Sequence, residues 1–445
     1  MRNRVLWVVG GGLLILALVL GFWAGSRGKG SRDLEFSVAA DMDSEHLPFP
    51  GEQTGDSSQA PVDQASATET WAGIEQASIP SVEARALWVP RWSYRTEADV
   101  RTIVNKAASA NFNMLLFQVR GNGDAYYFSV QETWADRLTG TLGRYPGWDP
   151  LRVAIDEAHA AGLELHAYVN VYPAWLGETP PSQTTPRHMY HRFNDLYESK
   201  WVQWDSNRNP MGLNPHYLSA NPGHPAVVDH FVAVCRGIVL NYDVDGLHLD
   251  YVRYSGPHFS YDPVSEQRWS EAGTGDRGDW QRAQVTELVS HINDEVIPLR
   301  PGVALSAAVW PIYQDKWKWV TYGSTTYEGY GGYFQDSRAW LEMGKMDFLA
   351  PMLYGTAVKG SRDRFETLVR DFMSESYGRH VYAGIHADYA SFSEIEARIR
   401  MARQAGCQGQ VIFAYSVVNG KDYWDEFRRG PYAQPAQVPS LPWKQ

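Results

Sequence analysis

The stretch DVDGLHLDYVRY (residues 243–254) places an imidazole, a carboxylate and a guanidinium close together, on His248, Asp250 and Arg253. From Gly246 onward polar and apolar residues alternate, so that His248 and Asp250 share one side and two leucines take the other. Alternation with a period of two predicts a β-strand. A carboxylate at the buried end of a strand is costly unless it is paired or used in chemistry. Asp250 is therefore the first candidate catalytic residue.

Strand-like apolar runs alternate with helical patterns after residue 80. The predicted strands are residues 84–91, 113–120, 163–170, 246–252, 303–310, 347–354, 380–387 and 410–417. Helices are predicted to begin at Thr96, at Asp149-Pro150 and at Ser393, where capping residues precede helical patterns. Eight strand–helix repeats indicate an α/β protein of the (β/α)₈ barrel type. A doubly wound sheet is disfavoured because it rarely gives eight regular repeats, and the phosphate-binding motif G-x-x-x-x-G-K-[ST] is absent.

In such a barrel, alternate strand residues face the lumen, and catalytic residues lie at the C-terminal ends of the strands. The same parity collects polar and aromatic side chains at that end. They are Gln118, Arg120, Asn122, Asp124, His166, Tyr168, Asn170, Tyr172, His248, Asp250, Trp310, Tyr354, His386, Asp388 and Ser416. A purely structural barrel would be expected to place Val, Ile and Leu there, so this end is the predicted active site.

Several of these side chains also have structural interpretations. Arg120 could be a buried partner of Asp250 or Asp124, and His166 and His248 could be satisfied core histidines. A metal site is disfavoured because the HxH pair of metal-dependent barrels and the HExxH motif are absent. No metal or other cofactor is predicted.

The composition narrows the possible partners. The formal net charge of −11 argues against a nucleic-acid partner, since phosphate binding needs a basic face. The two cysteines, Cys235 and Cys407, lie in separate helical segments and are read as core residues. The 18 Trp and 25 Tyr suit a large core, and their faces also suit stacking against sugar rings.

The N-terminal region predicts export. Arg2 and Arg4 precede an uncharged run that ends at Gly25 and is long enough to span a hydrocarbon core of ~30 Å. An uncleaved membrane anchor is favoured over a cleaved signal peptide, because the small-x-small cleavage site is poor. The predicted organisation is a signal anchor or signal peptide at 1–25, a disordered linker at 26–80, a folded domain at 81–430 and a Pro-rich tail at 431–445. The protein is accordingly expected to be extracytoplasmic, either anchored in the membrane or secreted.

Three long segments resemble the glycosyl-hydrolase-like 10 family: FQVRGNGDAYYFS (117–129), WDPLRVAIDEAHAAGLELHAYVNVY (148–172) and NYDVDGLHLDYVRY (241–254). The later APMLYG and VIFAYS are similar to its last strands, so the resemblance covers roughly residues 83–425. It implies a barrel glycoside hydrolase of the bacterial cell envelope that acts on cell-wall or other extracellular glycan. The matching positions imply an active-site floor of Arg120, Asp124, His166, Asn170, His248 and Asp250. The chain departs from the family pattern at Tyr251, where a second Asp is frequent, and at Asn170-Val171-Tyr172, which replaces an Asn-Pro with a following Arg.

Glycoside hydrolysis usually needs two carboxyl groups that flank the scissile bond. Asp250 is the predicted nucleophile or base and Asp124 the predicted second group, while Asp388, Glu178 and Glu328 are further loop carboxyls at the same end. The predicted substrate-binding residues are Arg120, His166, Asn170, His248, Trp310, Tyr354 and Asp388. Trp134, Trp175 and Trp310 are candidate stacking platforms. The expected partner is a polysaccharide or oligosaccharide substrate.

Two other functions remain open from the sequence. One is a glycan-binding barrel without hydrolysis, which would keep the aromatic residues but lack a second well-placed carboxylate. The other is a metal-dependent deacetylase or hydrolase that uses His166, His248 and Asp250.

Overall fold

The structure is a computed structural model that describes residues 79–444 except 274, 320, 323–324, 327 and 355–357. The predicted anchor or signal segment, 1–25, lies outside the described residues, as does the predicted linker up to residue 78. None of the helices within the described range is long and apolar enough to cross a membrane.

Eight parallel strands close into a barrel, which confirms the predicted fold. In chain order the strands are β1 (Ala84–Val89), β2 (Met114–Arg120), β3 (Asp124–Ala125), β4 (Thr133–Trp134), β5 (Glu164–Asn170), β6 (Pro173–Gly177), β7 (Asn214–Ser219), β8 (Gly246–Asp250), β9 (Ala304–Val309), β10 (Thr321–Tyr322), β11 (Thr325–Thr326), β12 (Phe348–Pro351), β13 (His380–His386) and β14 (Gly409–Phe413). The barrel order is β1-β2-β5-β8-β9-β12-β13-β14, and β14 pairs with β1 to close it. All eight pairings are parallel.

Helices surround the barrel. They are α1 (Glu97–Ser109), α2 (Asp136–Thr139), α3 (Pro150–Ala160), α4 (Met189–Tyr197), α5 (Pro225–Asn241), α6 (Pro263–Ala272), α7 (Arg277–His291), α8 (Gly329–Gly332), α9 (Ser337–Glu342), α10 (Arg362–Ser374), α11 (Phe392–Gln404), α12 (Tyr415–Gly420) and α13 (Trp424–Arg429). The predicted caps Thr96 and Asp149 each accept a hydrogen bond from a backbone N–H in the first turn of α1 and α3. The predicted cap Ser393 is wrong by two residues, because α11 begins after Ser391.

The side-chain parity predicted from the alternation is confirmed in the core. Leu247 and Leu249 on β8 belong to the large cluster between the barrel and its helices. A second buried cluster, which includes Trp88 on β1 and Tyr168 on β5, fills the lumen. His248 lies among these lumen residues, with its ring 5.9 Å from that of Trp88. One face of each strand therefore stabilises the barrel from outside while the other builds its interior.

The strands are shorter than the alternation predicts, and the difference is largest at the ends of two of them. β12 ends at Pro351 instead of continuing to residue 354, and β14 ends at Phe413 because α12 begins at Tyr415. Two small sheets were also not predicted: β3 and β4 extend from the end of β2, and β6 pairs with β7 in an antiparallel hairpin. These additions follow β2 and β5 in the chain, so they lie beside the predicted active site.

The opposite end of the barrel is covered by the C-terminal tail. Trp443 Nε1 donates to Asp347 Oδ1 at 2.7 Å, and Lys444 Nζ lies 2.6 Å from Asp347 Oδ2. Asp347 immediately precedes β12 and also accepts the backbone N–H of Leu305 at 2.7 Å. The backbone N–H of Glu83, just before β1, donates to Gln437 O at 2.8 Å. The tail thus connects the entry points of separate barrel strands.

Candidate active site

Asp250 is the last residue of β8, and both of its carboxylate oxygens are held by donors. The hydroxyl of Tyr168 donates to Oδ2 at 2.6 Å, and the backbone N–H of Tyr251 donates to Oδ1 at 2.6 Å. The guanidinium of Arg253 lies 3.5 Å from Oδ1. The two hydrogen bonds and the neighbouring cation fix the orientation of the carboxylate. Asp250 retains 7% exposure, so its carboxylate is fixed in place and still accessible at the end of the barrel.

The chain turns sharply after Asp250. Tyr251 has a φ of 51°, in the left-handed region that residues other than glycine rarely adopt. This turn directs the Tyr251 N–H back to the carboxylate of the preceding residue. It also brings Arg253 over the aromatic rings of Tyr251 at 4.5 Å and Trp310 at 5.1 Å. Aromatic faces therefore hold the cation beside Asp250.

His248 lies one layer below Asp250 and is fully buried. Its Nε2 accepts a hydrogen bond from Trp88 Nε1 at 3.1 Å, and its Nδ1 lies 2.9 Å from Ser306 Oγ. Burial, and the nearby His166, hold the pKa of His248 well below its ordinary value. Because Trp88 is a donor only, Nδ1 carries the proton of this neutral ring. The structure thus surrounds His248 with protein partners beneath the carboxylate, and its contact with substrate stays a prediction.

His166 lies deeper still, at the level of Gly246 on the neighbouring strand. Its Nε2 is 3.2 Å from Glu164 Oε2, and its ring packs 5.8 Å from that of Phe348. A Cβ on Gly246 would lie 2.1 Å from His166 Nδ1, so only glycine fits opposite this ring. The glycine that opens β8 is therefore required by packing. Substrate contact by His166 also stays a prediction.

Asn170 lies beside Asp250 in the strand register, and a chain of amides links it to the neighbouring strands. Gln118 Nε2 donates to Asn170 Oδ1 at 3.0 Å, while Gln118 Oε1 accepts the backbone N–H of Arg91 at 2.9 Å. This chain connects the ends of β1, β2 and β5. It fixes the orientation of the Asn170 amide next to the carboxylate.

Arg120 pairs with Glu132. The suggested pairing of Arg120 with Asp250 or Asp124 is therefore wrong. The two side chains are fully buried and meet at 2.7 Å. Arg120 Nη1 donates to the backbone oxygens of Val171 at 3.1 Å and Pro173 at 2.9 Å. The guanidinium therefore holds the chain that leaves β5. Its contact with substrate stays a prediction.

Glu132 was not identified from the sequence. Burial opposes its ionisation, but Arg120 and His230 outweigh that effect and lower the pKa of Glu132 to about 2. His230 Nε2 lies 3.1 Å from Glu132 Oε1. Glu132 lies twelve residues after Arg120 in a stretch without periodicity, so no sequence pattern pointed to this pair.

Asp124 lies in β3, at the same end of the barrel and 3% exposed. Its Oδ1 accepts the backbone N–H groups of Gly121 at 3.2 Å and Asn122 at 2.9 Å. Burial raises the pKa of Asp124, and the charge of Arg91 partly opposes the increase. Arg91, a residue that the sequence did not single out, is also buried and donates to Tyr217 Oη at 2.9 Å. A carboxyl group with a raised pKa is suited to donate a proton.

The other predicted residues are distributed around this centre. Trp310 packs on Tyr333 with ring centroids 4.2 Å apart, and Tyr354 stacks on Phe413 at 5.2 Å. Asp388 is half-exposed and pairs with Lys421 at 2.8 Å, and this hydrogen bond lowers the pKa of Asp388.

The two other candidate carboxyl groups and the two other candidate stacking tryptophans differ in how far they are buried. Glu328 caps α8 through the N–H of Gly331, and Glu178 is exposed at the end of β6. Trp134 is buried in β4, and Trp175 is half-buried in β6, where its Nε1 donates to the backbone oxygen of Thr179. Among the described residues, no group of three His, Cys, Asp or Glu side chains could hold a metal ion.

A cavity of about 550 Å³ opens next to Asp250. Tyr251 and Arg253 form one wall, and the β6–β7 hairpin with residues 209–212 forms another. Its volume lies in the range of ~300–1,000 Å³ that is usual for ligand sites. Because Tyr251 directly follows Asp250 in the chain, the cavity adjoins the fixed carboxylate.

Comparison with known proteins agrees with the resemblance found in the sequence. The model of a family described as Glycosyl hydrolase-like 10 matches residues 83–389. The chain is 25% identical over 394 residues to glycosyl hydrolase YngK of Bacillus subtilis, a match that covers 81% of this chain and 74% of that protein. It is 28% identical over 252 residues to glycosyl hydrolase DigH of Escherichia coli, and this match spans about half of each protein, 54%. The fold is similar to that of the glycoside hydrolase domain of PgaB (BpsB) from Bordetella bronchiseptica, with a TM-score of 0.58, 12% identity and coverage of 78% of this chain and 98% of that one.

Proposed function

The chain belongs to the glycosyl hydrolase-like 10 family, and we propose that it is a glycoside hydrolase that cleaves O-glycosidic bonds in a polysaccharide outside the cytoplasm. The glycan strands of peptidoglycan are the first candidate substrate. The observation that carries the proposal is Asp250, an accessible carboxylate that Tyr168, Tyr251 and Arg253 hold at the end of a barrel strand. The family relatives YngK and DigH, both named glycosyl hydrolases, support the same reaction class.

The two carboxyl groups suit different roles in this reaction. Asp250, surrounded by donors, acts as the nucleophile on the anomeric carbon or as the base that activates a water molecule. Asp124, whose pKa is raised by burial, acts as the acid that protonates the leaving oxygen. Asn170, Tyr354 and the rings around Arg253 then contact the sugar.

The proposed location outside the cytoplasm rests on the uncharged N-terminal run of the sequence. The residues at 1–25 would anchor the protein in the membrane or direct its secretion, and the barrel would meet its glycan outside the cytoplasm. Fractionation of cells that express the full chain, with and without these residues, tests this location.

The direct test of the reaction is the substitution Asp250→Asn. Release of reducing ends is measured from a panel of polysaccharides that includes peptidoglycan strands stripped of peptides. The wild type should cleave at least one of them, and the variant should bind that glycan and cleave it about 10²–10⁴-fold more slowly. The matched control is Asp425→Asn, since Asp425 lies in an ion pair on the surface of α13. Equal activity of the two variants would remove Asp250 from the mechanism.

One observation favours a second candidate, a barrel that binds glycan without cleaving it. Three of the acidic residues at this end have other structural tasks: Glu132 pairs with Arg120, Asp388 with Lys421, and Glu328 caps a helix. Asp124 itself uses one oxygen to hold its own loop. If the wild type binds glycans in the panel and cleaves none, this second function replaces the first.

A further inference from the structure

The cavity beside Asp250 is lined mainly by neutral groups. Three half-buried tyrosines, Tyr217, Tyr251 and Tyr333, stand on its walls. The rings of Tyr217 and Tyr251 are 5.4 Å apart and meet edge to face. Leu176 and Met211 from the hairpin side add apolar surface. Aromatic and apolar walls of this kind suit the C–H faces of a pyranose ring.

Tyr172 and Tyr254 also contribute to the lining of this cavity, and both side chains are almost completely buried. Tyr172 packs edge to face on Phe231 with ring centroids 5.7 Å apart, and Tyr254 packs on Phe334 at 5.4 Å. These two rings are therefore held rigidly by the core and extend the aromatic lining of the cavity.

The charged groups of the cavity are already engaged. Arg253 faces Asp250 and lies over aromatic rings. Asp205 accepts hydrogen bonds from the backbone N–H groups of Asn207 and Asn209, both at 2.9 Å, and so shapes its own turn. Because Arg253 balances Asp250, the carboxylate of Asp205 leaves a net negative charge around the cavity. This charge would disfavour a guest that carries a carboxylate.

From these features we infer that the cavity is a second sugar subsite, which binds an uncharged pyranosyl unit next to the unit that reacts at Asp250. This inference rests on the proposed function, because it assigns the neighbouring part of the same glycan chain. The β6–β7 hairpin supplies one wall, so this insertion lets the barrel hold an extended chain. The protein should therefore favour long glycans over short ones.

The test blocks the cavity without disturbing Asp250. Gly212 lines it, has open space where a Cβ would lie, and its backbone is not left-handed, so Gly212→Trp adds a bulky ring there. The matched control is Gly237→Trp on α5, where a Cβ also meets open space. Binding of N-acetylglucosamine, which can fill only one subsite, and of chitohexaose, both uncharged, is measured by calorimetry with the full chain carrying Asp250→Asn, so that no cleavage occurs during the titration.

Chitohexaose should bind the Asp250→Asn protein at least about ten-fold more tightly than N-acetylglucosamine. Gly212→Trp should abolish that difference, while Gly237→Trp should preserve it. Equal binding of the two sugars, or a difference that survives Gly212→Trp, overturns the subsite. Hexagalacturonate, which carries carboxylates, should bind more weakly than chitohexaose, and the reverse order overturns the assignment to an uncharged unit.

Cleavage assays separate the two proposals. If the protein cleaves no glycan but binds chitohexaose in the expected way, the hydrolase proposal fails and the subsite stands. If it cleaves glycans and Gly212→Trp slows long and short substrates equally, the subsite fails and the hydrolase proposal stands.

Discussion

The oxygens of Asp250 depend on two donors of different kinds. Oδ1 accepts a backbone N–H from Tyr251, which no substitution of that side chain removes. Oδ2 accepts the hydroxyl of Tyr168, which comes from the neighbouring strand β5 and can be deleted cleanly. Tyr168 is itself buried in the lumen against His248, with ring centroids 5.6 Å apart. Its hydroxyl is therefore the part of the site that most directly tests how Asp250 is held.

Tyr168→Phe should lower kcat/KM for glycan cleavage by about 10- to 150-fold, because a hydrogen bond to a charged group contributes roughly 1.5–3 kcal/mol. Steady-state kinetics on the glycan cleaved by the wild type measures the effect. Tyr382→Phe is the matched control, since Tyr382 is another buried lumen tyrosine, on β13, without contact to Asp250. A similar loss in both variants would indicate damage to the lumen instead of a role at Asp250.

Asp124→Asn should separate the acid from the nucleophile. Loss of the proton donor should slow cleavage of the natural glycan by about 10²–10⁴-fold, but should hardly affect an aryl glycoside whose leaving group needs no proton. Burial raises the pKa of Asp124, so the wild-type rate should fall as pH rises through that raised pKa, and the variant should lack this decline. The rates on both substrates are measured across pH, with Asp425→Asn on the surface of α13 as the control. Equal slowing of both substrates would contradict the assignment of Asp124 as acid.

At the scale of elements, the regular parts of the fold were predictable and the excursions were not. The eight barrel strands follow from alternation, and the caps Thr96 and Asp149 follow from local hydrogen bonding. The β3–β4 and β6–β7 pairs lie in segments for which no strand was predicted. The same limit applies to the site: Asp250 was evident from strand parity, but Glu132 lies in such an excursion, and its contact with Arg120 depends on tertiary structure.

Glu132→Gln should destabilise the protein by about 3–5 kcal/mol, because it leaves the buried charge of Arg120 without its partner. The pKa of Glu132 is lowered to about 2 from 4.5, so the pair contributes stability above pH 4.5 that is lost as pH falls toward 2. Urea unfolding of the wild type between these values should show this loss, and the variant should show less of it.

The double substitution Arg120→Met with Glu132→Leu is the control for this prediction. It removes both charges, so it should cost less stability than Glu132→Gln alone. Acid dependence that is unchanged in Glu132→Gln would show that another carboxylate accounts for the loss.

Over the whole molecule, the two ends of the barrel serve different purposes. The C-terminal ends of the strands carry Asp250, Asp124 and the cavity, while the opposite end is tied by the tail to Asp347 and Glu83. In barrels of this type, residues at the N-terminal end contribute to stability and not to chemistry. The sequence suggested only a Pro-rich tail at 431–445, because contacts such as that of Trp443 with Asp347 join residues that are 96 positions apart in the chain.

The division between the two ends predicts that the tail can be weakened without loss of function. Trp443→Phe with Lys444→Met removes two of the partners of the buried Asp347 carboxylate, Trp443 at 2.7 Å and Lys444 at 2.6 Å. Stability should fall by roughly 1–3 kcal/mol, measured as a lower Tm, while KM and kcat at a temperature well below Tm stay unchanged. Lys345→Met, which breaks a surface pair with Asp294, should change neither, since such pairs contribute little. A rise in KM without a change in Tm would mean that the tail acts on the distant site and that the two ends of the barrel are coupled.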